Sequence, residues 1–183
     1  DPGLWKLHVT ATTQDKIQVD ATAAIRVAKE PSTPAVGSSA PASVTLTEAD
    51  VDNITMITSD SDPDKDFYQL SIHQALQEDK PLVVVFATPA FCVSATCGPQ
   101  LEILTRLKKQ YQDRVNFIHV EAFENPHLME GGRPAGDLVA AVKEWGLPSE
   151  PWTFIVGKDG VVKAKYDQFV AEEELGKVLN EIS

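Results

Sequence analysis

Two cysteines carry the most reactive chemistry that this sequence offers. Cys92 and Cys97 are its only cysteines, and four residues separate them. A pair of thiols this close in sequence can form a disulfide or exchange one, because a thiolate attacks the sulfur of a disulfide. The pair therefore predicts a redox site, with a purely structural disulfide as the competing interpretation.

The cysteines lie between a predicted strand and a predicted helix. Residues 82–86 are an unbroken apolar run between Pro81 and Pro89, which is typical of a strand buried on both faces of a sheet. Apolar residues then recur at helical spacing after Pro99, and proline is favoured in the first turn of a helix. Cys97 is thus expected at a helix start, where unpaired N–H groups and the helix dipole lower the pKa of a thiol.

Cys97-Gly98-Pro99 resembles the first three residues of the Cys-Gly-Pro-Cys motif of the thioredoxin superfamily. Gln100 stands where that family has its second cysteine, and Cys92 is the available substitute. The resemblance implies thiol–disulfide exchange, in which the Cys97 thiolate attacks a partner disulfide and Cys92 resolves the mixed disulfide. It implies a protein disulfide or dithiol as partner, with neither a cofactor nor a bound metal.

A second part of the resemblance lies downstream, from Trp145 to Val162. Thioredoxin-like proteins place a cis-proline just before the first strand of a hairpin, and Pro151 takes that position ahead of an Asp159-Gly160 turn. The interval to that turn is similar to that of membrane-tethered, extracytoplasmic thioredoxin-like reductases. The resemblance implies that Pro151 lies beside the cysteines and that Glu150 offers its backbone to an extended substrate. Trp152 would line the same substrate site, where the family prefers Thr.

The pattern of residues 44–183 predicts a thioredoxin-like α/β fold, with a central mixed sheet flanked by helices. The order is β-α-β-α-β-β-α, and its first two elements have the weakest signals. The apolar periodicities predict helices at 66–78, 99–112, 137–144 and 171–182, strands at 82–87 and 115–122, and a β-hairpin around Asp159-Gly160. The resemblance covers roughly three quarters of the chain.

Residues 1–30 are a separate predicted element. Two largely alternating segments flank a polar turn at 13–16, which predicts an antiparallel hairpin. Because an isolated hairpin is marginally stable in water, we expect it to end a larger β-sandwich or to pack on another protein. Gly3-Leu4-Trp5 resembles the start of the final hairpin of immunoglobulin-like modules. Residues 31–43, rich in Pro, Ser and Ala, are a predicted linker to the domain at 44–183.

The net charge and the order of the predicted segments bear on the partners and the cellular location of the protein. Sixteen basic against twenty-seven acidic residues give a net charge of −11, which disfavours nucleic acid and anionic lipid as partners. A linker after a sandwich remnant resembles tethered thioredoxin-like proteins, so we expect an extracytoplasmic, membrane-associated protein that works with a redox partner or with subunits of a membrane complex. Any membrane anchor or export signal is expected upstream of Asp1, because the chain has no apolar window long enough to span a bilayer.

Three other interpretations of the cysteines stay open. Cys92 and Cys97 alternatively staple a loop in a redox-inert binding or structural subunit of the same fold. A peroxiredoxin-like peroxidase would use Cys97 with Arg133, and a copper-delivery protein would use both cysteines with His119 or His127. The spacings of the cysteine loop fit both of these families less well.

Further residues near the predicted site have structural explanations. Trp145 is assigned to the core, and Glu121 and Glu124 are assigned to surface or strand-edge positions. Residues 125–136 are rich in glycine and proline, which predicts an inserted surface loop or a lid near the cysteines.

Overall fold

The chain divides into two units, Asp1–Pro31 and Ser32–Ser183. The computed structural model describes residues 1–92, 94–111, 113–131 and 133–183. No helix within those ranges is both long enough and apolar enough to span a lipid bilayer. The first unit consists of β-structure, and the second holds the helices and a larger sheet.

The first unit is the predicted hairpin. Strand β1 (Gly3–Thr12) pairs antiparallel with β2 (Gln18–Val27) over ten residue pairs. The turn closes through a hydrogen bond from the Lys16 N–H to the Thr13 carbonyl, 2.9 Å long. Every residue of both strands is exposed to solvent.

The second unit is built on a four-stranded mixed sheet. Its strands are β3 (Leu82–Ala87), β4 (Asn116–Glu121), β5 (Trp152–Val156) and β6 (Val162–Asp167), in the order β4-β3-β5-β6. Strand β3 pairs parallel with β4 and antiparallel with β5. All six residues of β3 are buried, as predicted for a strand covered on both faces.

Helices cover both faces of this sheet. They are α1 (Ile72–Ala75), α2 (Cys97–Tyr111), α3 (Ala140–Glu144) and α4 (Glu172–Ile182). Val83 and Val85 of β3 belong to a first core with residues of α2 and α4. Val84 and Phe86 belong to a second core with residues of α1 and α3. Alternate side chains of β3 therefore hold the two helical layers to one sheet.

The helix predicted at 66–78 is wrong over most of its length. The structure has a 3-10 turn at Lys65–Tyr68, followed by the single turn of α1. Ser71 is the N-cap of α1. Its hydroxyl accepts a hydrogen bond from the Gln74 N–H, and the Gln74 side chain accepts one from the Ser71 N–H. This reciprocal capping fixes a helix start inside the segment that the apolar spacing treats as continuous.

Residues 32–58 add no strand to the sheet. They contain two 3-10 turns, at Glu48–Asp50 and Ile54–Met56. Ser43 is buried, and Ser39 forms an isolated antiparallel bridge with Val161. The segment predicted as a linker thus packs on the second unit.

Gly146 follows α3 at a point where the backbone makes a close approach. Its φ is 61°, in the left-handed region. A Cβ atom at this position would collide with the carbonyl oxygen of Ser32. Both the conformation and the lack of space require glycine here.

We expect Gly146→Ala to lower the free energy of unfolding by clearly more than Gly160→Ala. Gly160 is the matched control, because its φ of 71° carries a similar conformational cost of about 1–2 kcal/mol. Nothing lies within 4 Å of a Cβ atom at Gly160, whereas the Gly146 methyl group meets backbone. Chemical denaturation measures both losses, and equal losses would contradict the close approach to Ser32.

Candidate active site

Cys92 and Cys97 form a disulfide at the start of α2. Their Cα atoms are 6.0 Å apart, within the range that a disulfide requires. Cys97 is the first residue of α2, and the Gln100 N–H donates to the Thr96 carbonyl in the first turn at 2.9 Å. The predicted position of Cys97 at a helix start is confirmed.

The two halves of the disulfide differ in exposure. Cys97 has a relative exposure of 0% and belongs to the first core. Cys92 is partly exposed and packs against the edge of the same core. Cys92 is therefore the half of the disulfide that a second molecule can reach.

A series of polar contacts leads from the cysteine loop to the proline loop. The Ser94 hydroxyl lies 3.1 Å from the sulfur of Cys92 and 2.7 Å from the Thr96 hydroxyl. The Thr96 hydroxyl donates to the side-chain carbonyl of Gln168 at 3.3 Å, and the Gln168 backbone N–H donates to the Pro151 carbonyl at 2.9 Å. The Glu150–Pro151 peptide is cis, as predicted. The contacts bring this peptide next to the start of α2.

Gln168 is hydrogen-bonded to the backbone that the resemblance to thioredoxin-like proteins assigns to a substrate. Its side-chain N–H donates to the carbonyl of Glu150 at 3.0 Å. Gln168 itself has a φ of 63°, an uncommon conformation for a residue other than glycine. An extended substrate that pairs with the Glu150 carbonyl would share this acceptor with the Gln168 side chain or displace it.

Trp152 faces away from the disulfide. Its ring stacks on Phe154 with centroids 5.7 Å apart, and its indole N–H donates to the Ser149 hydroxyl at 3.1 Å. It packs against the second core, whereas Cys97 belongs to the first core on the other side of the sheet. Trp145 is fully buried in the second core, as predicted. Neither aromatic ring joins the cysteine site.

Glu121 is a buried carboxyl group that the sequence assignment missed. It is 4% exposed, and one carboxyl oxygen accepts a hydrogen bond from the Ser59 N–H at 2.6 Å. The other oxygen has no hydrogen-bond partner among the described residues. Burial raises the pKa of Glu121 to about 7, and repulsion from Glu150 adds to the rise. The sequence signal that could have predicted this burial is spacing. Phe117, His119 and Glu121 are two residues apart, so they share one face of β4.

Thr88 places the Glu150 carboxyl group at the end of the central strand. Thr88 directly follows β3, is fully buried, and donates its hydroxyl hydrogen to the Glu150 carboxylate at 2.6 Å. Burial raises the pKa of Glu150, and the hydrogen bond from Thr88 opposes part of that rise. Glu121 and Glu150 thus form an acidic group, at the end of β3, that is less fully ionised near neutral pH than exposed carboxylates.

His119 is engaged in the core. Its Nε2–H donates to the Ala87 carbonyl at 3.0 Å, and its Nδ1 accepts from the Tyr68 hydroxyl at 2.6 Å. Burial lowers its pKa to about 4, which keeps the ring neutral. No ring nitrogen is left for a metal, and the described ranges contain no cluster of three His, Cys, Asp or Glu side chains suited to one. His127 and Arg133 are exposed in the 125–136 loop.

We expect Glu121 to make the protein less stable as pH rises from about 4.5 to about 7. The pKa of Glu121 is higher in the folded than in the unfolded protein, so the folded state binds this proton more tightly and the stabilisation is complete only below that window. Glu121→Gln should abolish this loss, which we expect to be on the order of 2–3 kcal/mol. Denaturant unfolding between pH 4 and pH 8 measures it.

Glu124→Gln is the matched control, because Glu124 is exposed and lies three residues away. Its stability should follow that of the original protein across the whole pH range. A Glu121→Gln profile parallel to the original one would rule out the raised pKa of Glu121.

The fold of this chain has counterparts among solved structures. No protein-family model and no curated protein matches the sequence. A Chlorobium tepidum protein described as a thiol:disulfide interchange protein DsbE superposes with a TM-score of 0.58 at 10% identity, over 82% of this chain and 99% of its own. A thioredoxin-like superfamily protein superposes with a TM-score of 0.52 at 12% identity, over 81% of this chain and 96% of its own. The chain therefore has the predicted thioredoxin-like α/β fold.

Proposed function

We propose that this protein exchanges thiols and disulfides with a partner protein through Cys92 and Cys97. The observation that carries the proposal is the Cys92–Cys97 disulfide at the start of α2, where Gln168 links Thr96, the residue before Cys97, to the cis Pro151 loop. The description of the Chlorobium tepidum neighbour as a thiol:disulfide interchange protein supports the same class of reaction. Glu150 and Pro151 form the side on which the partner would bind.

The helix start suits Cys97 as the sulfur that carries charge during exchange. When the disulfide opens, one of its two sulfurs leaves as a thiolate. At Cys97 that anion faces the unpaired N–H groups and the positive dipole end of a 15-residue helix. A sulfur whose thiolate is stabilised leaves faster, which favours breaking the disulfide on the Cys97 side.

The exposure of the two cysteine residues favours one order of steps. A partner thiolate attacks the sulfur of Cys92, the Cys92–Cys97 bond breaks, and Cys97 departs as a thiolate. The second thiol of the partner then attacks the partner's own sulfur in the mixed disulfide and releases Cys92. The partner loses two electrons and becomes a disulfide, and this protein becomes a dithiol. The reverse sequence reduces a partner disulfide.

This order exchanges the two roles expected from the sequence. The motif resemblance makes Cys97 the attacking residue and Cys92 the resolving one, whereas the burial of Cys97 favours contact of the partner with Cys92. Both assignments use the same pair of residues and predict opposite behaviour of the two single variants.

We also propose an extracytoplasmic location and association with a membrane. The only two cysteines of the chain are paired as a disulfide, and such bonds persist mainly in oxidising compartments. The partner is then a secreted or membrane-complex protein that presents a disulfide or a dithiol.

A redox-inert module is the second candidate function. Its support is specific: Cys97 has no exposed surface, and the Glu150 carbonyl is already hydrogen-bonded to Gln168. In this case the disulfide fixes the loop before α2, and the domain acts by binding a partner.

We expect Cys97→Ser to trap mixed disulfides. This variant leaves the partly exposed Cys92 as the lone thiol, with no second cysteine to release a bound partner. Cys92→Ser leaves the buried Cys97, which should form adducts at least about tenfold more slowly because access limits thiol exchange. Intact-mass spectrometry after incubation with oxidised glutathione measures both rates. Faster adduct formation by Cys92→Ser would restore the roles expected from the sequence.

We expect the reduction potential of the disulfide to lie above about −300 mV, the range of exchangeable rather than structural disulfides. Equilibration with glutathione or dithiothreitol buffers, followed by trapping of free thiols, measures this value. The protein should also accelerate the reduction of insulin by dithiothreitol, with Cys92→Ser/Cys97→Ser as the inactive control. A lower potential together with no acceleration would favour the redox-inert module.

A further inference from the structure

The hairpin of the first unit has one wholly apolar face. Residues opposite each other in an antiparallel pair share a face, and successive residues alternate between faces. The register of β1 and β2 therefore collects five pairs on one side, called here the apolar face: Gly3–Val27, Trp5–Ile25, Leu7–Ala23, Val9–Ala21 and Ala11–Val19. No charged or hydroxyl-bearing side chain interrupts this face.

The opposite face of the hairpin is suited to water. The His8 ring lies 3.0 Å from the Thr22 hydroxyl, and the Thr10 hydroxyl donates to Asp20 at 2.6 Å. Lys6 and Arg26 add two cations to this side. The difference between the faces shows which one is built to be covered.

The apolar face is nevertheless exposed. Trp5 is 49% exposed, Leu7 51% and Ile25 49%. A two-stranded hairpin on its own is marginally stable in water, and a continuous apolar patch of this kind marks an interaction surface. A covering surface must be apolar and must match a flat ribbon ten residues long.

We propose that the apolar face packs against the same face of a second copy of this chain. Two antiparallel ribbons then stack as a four-stranded sandwich about a two-fold axis, with a separation of about 10 Å between the sheets. The contact is isologous, so each residue on one copy has its counterpart on the other.

The distribution of side-chain size on the apolar face favours this pairing. The bulky pair Trp5–Ile25 lies on one side of the central Leu7–Ala23 pair, and the smaller pair Val9–Ala21 lies on the other. A two-fold axis through the central pair places the bulky pair of each copy over the smaller pair of its mate. The face is thus complementary to itself, as an isologous contact requires.

Charge points to the same partner. The unit Asp1–Pro31 contains four acidic and four basic residues, so it has no net charge, and the net charge of −11 lies in the second unit. The hairpin is therefore the part of the molecule at which two copies meet without net repulsion. The paired ribbons would bury on the order of 1,000 Å², near the lower limit for a specific interface, which suits a dimer that dissociates at micromolar concentrations.

Sedimentation velocity of the full chain tests the proposal, from about 1 µM to about 200 µM, a range suited to a weak interface. The original protein should shift from monomer to dimer. Leu7→Lys places a charge at the centre of the apolar face and should weaken the dimer at least tenfold. His8→Lys is the matched control, because it puts the same charge on the next residue of β1 but on the opposite face, and it should leave the dimer within about twofold.

Two results would overturn the proposal. One is a protein that stays monomeric at the highest concentration, which would show that the apolar face does not bind a second copy. The other is equal weakening by Leu7→Lys and His8→Lys, which would separate association from the apolar face.

Hydrogen exchange on the original protein tests the proposal even if the hairpin of a variant fails to fold. Deuterium uptake by residues 1–31 of the original protein should fall as its concentration rises, because dimerisation protects the strands. Uptake that is independent of concentration in the original protein would also overturn the proposal, whatever the variants do.

Discussion

The burial of β3 on both faces is the constraint on which the second unit depends. Val83 and Val85 join α2 and α4 to the sheet, while Val84 and Phe86 join α1 and α3 to its other side. The strand is pinned by two cores, so the point where it ends is fixed. The loop that joins β3 to α2 therefore begins at a fixed position after Ala87. Because this loop contains Cys92 and leads to Cys97, the disulfide lies at the end of β3.

Local patterns predict the scaffold of the site well. The apolar run at 82–86, the helical spacing after Pro99 and the turn at Asp159-Gly160 each depend on neighbours in sequence, and the structure has the expected element at each place. The segment at 66–78 is the exception, because the Ser71 cap overrides a periodicity that looks continuous. Local hydrogen bonds of this kind compete with hydrophobic spacing, and spacing alone does not reveal them.

Contacts between distant residues account for what the sequence does not predict. Gln168 reaches Glu150 across 18 residues, and Ser59 reaches Glu121 across 62. The role of each such residue depends on which loops the fold brings together. Glu121 shows the consequence: its residue type favours the surface, but it lies on a face of β4 that packs against residues 57–68, and it is buried there.

Gln168 gives the proposed partner side of the molecule a competitor within the same chain. Its amide already provides the Glu150 carbonyl with the donor that an incoming strand would supply, so binding exchanges one hydrogen bond for another and gains little from that contact alone. Where a strand has to displace Gln168, its apparent affinity is its intrinsic affinity multiplied by the fraction of time for which the carbonyl is free. If the proposed partner binds here, polypeptides that make additional contacts on either side of the proline are favoured over short ones, and the backbone acceptor then selects for longer, better matched sequences.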